Sequence, residues 1–88
     1  MSIDSQHDPE QNRLTLNGEL TIYCAAEAKA PLLEHKDIDI DLSQLTELDG
    51  AGLQLLILAK RDRGARLVNA SEAVDKVFTL TGLADMLE

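Results

Sequence analysis

The sequence predicts an α/β fold in which a mixed four-stranded sheet carries its helices mainly on one face. One observation is the alternation of Asp with Ile or Leu over 37–42, because a strand covered by helices on both faces would be apolar throughout. Another is the leucine-rich helical segment 50–63, which separates that strand from the short apolar segment 65–69. Two strands joined through a helix are expected to be parallel and connected by a right-handed crossover.

The N-terminal segment has the pattern of a β-hairpin. We expect strands over 3–6 and 13–17, separated by the polar, turn-forming segment 7–12. In the second strand Leu14 and Leu16 alternate with polar residues, so one face should be buried and the other hydrated.

The first helix is expected to begin near Ile22, with Thr21 as its cap. Pro31 lacks an N–H and clashes with the preceding turn, which costs about 3 kcal/mol inside a helix. The helix should therefore bend or end near Ala30. Its apolar positions at helical spacing are Ile22, Ala25, Ala26, the aliphatic stem of Lys29, and Leu33.

The alternating segment 37–42 should be a strand whose Ile and Leu side chains face the core and whose three Asp side chains face water. A cation site on these aspartates is disfavoured, because carboxylates two residues apart on a strand lie in a line and do not converge on one ion. Ser43 and Thr46 are placed in the loop that follows. Their hydroxyls are expected to bond to turn backbone rather than to accept a phosphate.

The second helix is expected over 50–63, with Asp49 as its N-cap and Gly64 as the residue that ends it. The basic residues of 60–63 suit the negative end of the helix dipole without requiring a ligand. The apolar arc is wider than contact with a sheet requires, and we expect its extra part to pack on neighbouring helices. The main stripe is Leu53, Leu56, Ile57 and Lys60, and the extra part is Leu55, Leu58 and Ala59.

The C-terminal quarter predicts a strand, a helix and a final turn. The strand should cover 65–69, and Asn69 or Ser71 should cap the helix that follows. That helix should end at Gly82, and 83–87 should form a short helical turn that packs back on the domain. Its buried stripe is expected to be Val74, Val77 and Phe78.

Length and composition limit the function classes. Eighty-eight residues predict a single domain, 1–88, with one modest core. A net charge of −8 and an aromatic share of 2% disfavour binding to nucleic acid and to anionic lipid. The longest apolar run, 55–59, is too short to span a bilayer, and the N-terminus lacks the pattern of a signal peptide, so we expect a cytoplasmic protein. No motif predicts a catalytic residue, a metal site or a cofactor.

The order of elements, read with Asp41-Leu42-Ser43 and Asp49-Gly50-Ala51-Gly52-Leu53, resembles the STAS domain. Gly18-Glu19-Leu20 and the Asn69-Ala70-Ser71 turn resemble segments of the same family. STAS domains include anti-sigma factor antagonists, the small subunit of a bacterial lipid-asymmetry transporter and the cytosolic tails of sulfate transporters. The resemblance extends from Leu14 to about Leu87.

The resemblance implies a bacterial, non-enzymatic regulator of transcription that acts by partner switching. Its partner would be an anti-sigma factor with a kinase-like ATP-binding fold, whose capture releases a sigma factor or a related client. The residue after the loop aspartate is commonly a phosphorylated Ser or Thr in these antagonists, and here it is Gly50, which has no hydroxyl. The partner is expected to contact the loop at 47–52 and the exposed side of the helix that follows. The expected contact residues are Glu47, Leu48, Asp49, Gly50, Ala51, Gly52 and Gln54.

Two alternatives remain open from the sequence. Asp49 and Gly52 have purely structural interpretations, as an N-cap and as a site of close helix-to-strand packing, and these are compatible with a role in partner binding. The missing hydroxyl also suits a constitutive subunit of a larger assembly, such as a lipid-asymmetry ABC transporter or a chemotaxis signalling array. The oligomeric state is open.

Overall fold

The computed structural model of the protein describes residues 3–88 and has the expected mixed four-stranded sheet with helices against one face. Met1 and Ser2, the first residues of the predicted domain, lie outside the described part. The strand order is β1-β2-β3-β4, with β1 antiparallel to β2 and the other neighbours parallel. The elements are β1 Ile3–Asp8, β2 Arg13–Leu20, α1 Ala25–Glu34, β3 Asp39–Leu48, α2 Gly50–Arg63, β4 Arg66–Val68, α3 Glu72–Leu80 and a 3₁₀ turn, Ala84–Met86.

The core lies between the helices and one face of the sheet. Because side chains alternate along a strand, Leu14 and Leu16 of β2 face the helices, as predicted, and so do Ile40 and Leu42 of β3 and Leu67 of β4. The opposite face of the sheet is open to solvent. It bears a row of charged residues at paired positions of three neighbouring strands. That row is Arg13, Asp39 and Arg66.

The strand β3 is longer than predicted, because two register shifts against β2 interrupt its alternation. Each shift adds one residue to β3 relative to β2, so the buried positions run Ile40, Leu42, Leu45 and Leu48 instead of every second residue. The placement of Ser43 and Thr46 in a loop is therefore wrong. Both lie within β3, and the Thr46 hydroxyl donates to the Gly18 carbonyl of the neighbouring strand β2 at 3.1 Å, not to local turn backbone as expected.

The prediction of a fully solvated aspartate face is wrong for Asp41, which is buried. Its carboxylate accepts from the Ser43 N–H at 2.9 Å and from the Asn69 side-chain amide at 3.2 Å, and Arg13 lies 3.7 Å away. Burial disfavours its charged form, but these hydrogen bonds and the guanidinium outweigh burial, so the pKa of Asp41 is lowered. Asp37 lies outside the strand, at a positive φ of 55°.

The predicted start of the first helix, with Thr21 as its cap, is wrong, and the helix does not end near Ala30. The helix α1 begins at Ala25 and passes through Pro31 to Glu34. Cys24 is its N-cap, and no side chain of residues 3–88 caps it. Its buried stripe is Cys24, Ala28 and Leu32, and Ile22 is exposed instead.

The remaining elements follow the predictions closely. The helix α2 spans Gly50–Arg63, and Gly64 ends it in the left-handed conformation at φ 68°. Ala59 belongs to its buried stripe rather than to the extra arc. Between the two caps considered for α3, the structure selects Ser71, whose hydroxyl accepts from the Val74 N–H at 3.3 Å.

The C-terminal turn packs back on the sheet as expected. Leu87 pairs with Leu67 of β4, and the Glu88 N–H donates to the Leu67 carbonyl at 2.8 Å. These contacts cover the outer edge of β4. Within residues 3–88, no helix combines the length and the apolar character that crossing a bilayer requires.

Candidate partner-binding site

The seven residues predicted to contact a partner form one continuous corner of the molecule, at the end of β3 and the first turn of α2. The expected loop at 47–52 is absent from the described chain, since Glu47 and Leu48 end the strand and Asp49 alone separates it from the helix. The side chain of Leu48 and the whole of Gly52 are buried, whereas Asp49 and Ala51 are half-buried. Surface reaches solvent mainly at Glu47, Gly50 and Gln54.

The Asp49 side chain bonds to two segments at this corner, the first turn of α2 and the segment just before α1. One carboxylate oxygen, Oδ1, accepts from the Gly52 N–H at 3.0 Å, which is the predicted N-cap, and Oδ2 accepts from the Ile22 N–H at 2.9 Å. The hydrogen bond from Gly52 is the largest cause of the lowered pKa of Asp49, and the Ile22 N–H adds to it against a smaller opposing effect of burial. The charged carboxylate therefore holds the segment before α1 against the start of α2.

The two glycines of the corner have different roles. A methyl group built on Gly52 would overlap the carbonyl oxygen of Leu20 and would lie 2.8 Å from the Leu48 side chain. Close packing of α2 on the end of β2 thus requires Gly52. A methyl group on Gly50 would meet no atom of the described chain within 4 Å, so this position can carry a side chain without disturbing the fold.

A pair of carboxyl groups lies near the ends of β2 and β3, shortly before Gly50 in the sequence. Glu19 of β2 is directly opposite Glu47 of β3 in the parallel pairing. A hydrogen bond with Glu19, formed when one of the two groups is protonated, and the repulsion between their charges raise the pKa of Glu47. The two strand ends therefore concentrate negative charge, and no Lys, Arg or His of residues 3–88 forms a salt bridge with either carboxylate.

The sequence analysis missed Ile22 and Tyr23, which the structure places at the same corner. Their side chains are 67% and 78% exposed, and the Ile22 N–H bond to Asp49 holds them next to the start of α2. Helix propensity was the available signal, because a β-branched and an aromatic residue are poorer helix formers than the alanines from Ala25 onward.

The remaining titratable groups of the described residues form no alternative site. His7 and His35 are far apart in sequence, yet their rings stack with centroids 4.0 Å apart. Among residues 3–88 there is no group of three or more His, Cys, Asp or Glu side chains that could hold a metal ion. Cys24 is the only cysteine of the sequence and is buried.

Comparison with known proteins places this geometry in a family. The sequence model described as "Mlab, STAS domain" matches residues 3–88. The anti-sigma-B factor antagonist of Bacillus subtilis (strain 168) is 27% identical, with 100% of this chain and 89% of that protein covered. The anti-sigma-B factor antagonist of Staphylococcus epidermidis is 26% identical, with 82% of this chain and 76% of that protein covered.

A solved structure supports the fold. The unphosphorylated form of the anti-sigma factor antagonist SpoIIAA superposes with a TM-score of 0.70 over 98% of this chain and 85% of that chain, at 19% sequence identity. The matched family covers all residues that the structure describes, and the resemblance seen in the sequence is confirmed. The chain belongs to the STAS domain family.

Proposed function

We propose that the protein is a non-enzymatic, cytoplasmic regulator that binds a kinase-like anti-sigma factor through the corner formed by Glu47–Gln54. Capture of that partner would release a sigma factor or a related client. The observation that carries the proposal is the surface at Gly50, which is exposed at the first position of α2 and where a Cβ would meet no atom of residues 3–88 within 4 Å. Another protein can approach the backbone here directly.

The chemistry of Gly50 supports a contact that is never switched off at this residue. A phosphate at the start of a helix adds about −1.5 to −2 charges, which the helix dipole tolerates but a closely packed partner does not. Gly50 has no hydroxyl to accept a phosphate. The protein therefore resembles the unmodified, binding-competent state permanently.

The decisive variant is Gly50→Glu. Its Cβ would meet no atom of residues 3–88 within 4 Å, and a carboxylate suits a helix N-terminus, so the fold should persist while a partner seated on the corner is displaced. The matched control is Gly50→Ala, which adds a methyl group without charge. The measurement is titration calorimetry of each variant against purified kinase-like anti-sigma factors from the source organism. Unchanged capture by the glutamate variant would remove this corner from consideration.

A kinase assay tests the permanence of binding. Incubated with the captured anti-sigma factor and ATP, the wild-type chain should incorporate no phosphate, whereas Gly50→Ser should become phosphorylated and release its partner. Ser43 and Thr46 are exposed hydroxyl residues on β3, so peptide mass spectrometry should be used to locate any modification. Phosphate on either residue of the wild-type chain would contradict a permanently active antagonist.

A constitutive subunit of a larger assembly is the second candidate, and the missing hydroxyl at Gly50 favours it, because a permanent subunit needs no switch. The assembly would be a lipid-asymmetry ABC transporter or a chemotaxis signalling array. Stoichiometric purification with a membrane ATPase or with a receptor complex would support this candidate. A free pool of the protein in native extracts, together with calorimetric binding of an anti-sigma factor, would support the first.

A further inference from the structure

We infer that Ile22 and Tyr23 are the apolar anchor of the partner contact, and that the partner presents an apolar pocket bordered by Lys or Arg side chains that meet Glu19 and Glu47. The inference rests on the proposed function and names the chemistry of the surface that the corner recognises. We call Glu19, Ile22, Tyr23, Glu47 and Gly50 together the α1–α2 corner.

The anchor is held in position at both of its ends. The Ile22 N–H donates to Asp49 at 2.9 Å, and the Cys24 N–H donates to the Thr21 carbonyl at 2.9 Å, which closes a turn around Ile22 and Tyr23. Thr21 and Cys24, the residues that flank them, are buried. Two large apolar side chains thus stand on a turn whose backbone the fold fixes, so a partner has to order only their side-chain rotamers.

A lone exposed apolar side chain is ordinary on a protein surface. Leu80, at the end of α3, is such a case and is 76% exposed. Ile22 and Tyr23 differ because they are adjacent, and because Asp49 joins them to the first turn of α2 next to Gly50 and Gln54. Tyr is one of the residue types enriched among the few residues that carry most of the binding energy of an interface.

The negative charge of the α1–α2 corner indicates which side chains should border the partner's pocket. The chain segments that build the corner, 14–28 and 37–59, contain no Lys or Arg, and Glu19 and Glu47 face each other across the strand ends. The hydrogen bond that they share when one of them is protonated, and then the repulsion between their charges, raise the pKa of Glu47. A Lys or Arg from the partner, placed between the two carboxylates, would relieve that repulsion, and opposite potentials accelerate association.

The test compares Tyr23→Ala and Ile22→Ala with Leu80→Ala, each titrated against the anti-sigma factor that the wild-type chain captures. The substituted side chains are exposed to similar extents, so all three variants should unfold at nearly the wild-type temperature. We expect the two corner variants to bind about tenfold more weakly or worse, and Leu80→Ala to bind as the wild type does. Equal affinity of all three would overturn the anchor.

The outcomes separate this inference from the proposed function. Loss of binding in Gly50→Glu without any loss in Tyr23→Ala and Ile22→Ala leaves the proposed site in place and overturns the anchor alone. Loss in the anchor variants without any loss in Gly50→Glu supports the anchor and overturns the site centred on Gly50.

The charge of the partner is tested by a double variant that carries both Glu19→Gln and Glu47→Gln. The control is Glu34→Gln, on the exposed end of α1. Stopped-flow association at low and high salt should show about a fivefold slower rate at low salt for the double variant, and a weaker salt dependence. The control should retain both the rate and the salt dependence of the wild type. A double variant that associates as fast as the wild type at every salt concentration would overturn the basic border.

Discussion

The two helices that begin at the α1–α2 corner begin in opposite ways. The helix α2 has its own cap, since Asp49 accepts from Gly52 and the Leu53 N–H donates to the Asp49 carbonyl at 2.8 Å. The helix α1 has no side-chain cap from residues 3–88, and the segment before it is held by the cap of its neighbour through Ile22. One carboxylate therefore secures both starts.

The difference teaches where the corner is rigid and where it is exposed. The start of α2 is determined locally and packs so closely on β2 that only glycine fits at position 52. The start of α1 depends on a residue 27 positions away in sequence and presents its apolar side chains to solvent. Rigid backbone next to exposed apolar side chains is a suitable arrangement for recognition, because little order has to be gained on binding.

The close approach at the start of α2 is tested by Gly52→Ala. Its methyl group would overlap the Leu20 carbonyl oxygen, which is backbone and cannot rotate away, so α2 must move from β2. We expect a loss of about 2 to 3 kcal/mol in the free energy of unfolding, measured by urea denaturation.

Gly50→Ala is the matched control for that loss. The same methyl group meets no atom of the described chain within 4 Å, and Gly50 does not have a positive φ. Alanine should therefore raise the free energy of unfolding by about 0.5 kcal/mol through the lower entropy of the unfolded chain. Equal effects of the two alanines would contradict the packing that we describe at Gly52.

The shared role of Asp49 is tested by Asp49→Ala, which removes both side-chain bonds. We expect a cost of about 1 to 2 kcal/mol at neutral pH. The pKa of Asp49 is lowered in the folded protein, so its contribution is present above the unfolded value, near 3.8, and is lost as the pH falls through the folded value. The difference in stability between Asp49→Ala and the wild type should therefore become smaller as the pH is lowered. Thermal unfolding at a series of pH values measures this difference.

Ser71→Ala is the control for the pH dependence. Ser71 caps α3 through a hydroxyl that does not titrate in acid, so its removal should cost about 1 kcal/mol at every pH. If the difference in stability between Asp49→Ala and the wild type were as independent of pH as that of Ser71→Ala, the cap would not depend on the charge of the carboxylate.

The same contrast explains how much of the fold the sequence could predict. The bounds of α2 were predicted to the residue, because the signals at both ends are local: Asp49 accepts from a residue three positions on, and Gly64 adopts the left-handed conformation. The parallel relation of β3 and β4 followed from the crossover pattern, and the helix-covered face followed from alternation. These features depend on neighbours in sequence, and such neighbours are visible without a structure.

Features that depend on distant partners were missed. The length of β3 results from two register shifts that exist only against β2. The burial of Asp41 requires Arg13 and Asn69, each 28 residues from it. The turn at Ile22 and Tyr23 is fixed by Asp49, so periodicity assigned those residues to the helix, and the exposed half of the candidate site was overlooked.

The smallest expected effect concerns Thr21, which sequence analysis assigned as the cap of the first helix and which caps nothing. Its hydroxyl is buried and finds no hydrogen-bond partner within residues 3–88, and a buried hydroxyl without a partner is destabilising. Thr21→Val replaces it with a methyl group of similar size and should raise the free energy of unfolding by about 1 kcal/mol. Thr46→Val, whose hydroxyl donates to the Gly18 carbonyl, should give no such gain. Urea denaturation measures both variants. If valine at position 21 destabilised the protein, the Thr21 hydroxyl would be hydrogen-bonded, and the start of α1 would be held by more than the Asp49 carboxylate that caps α2.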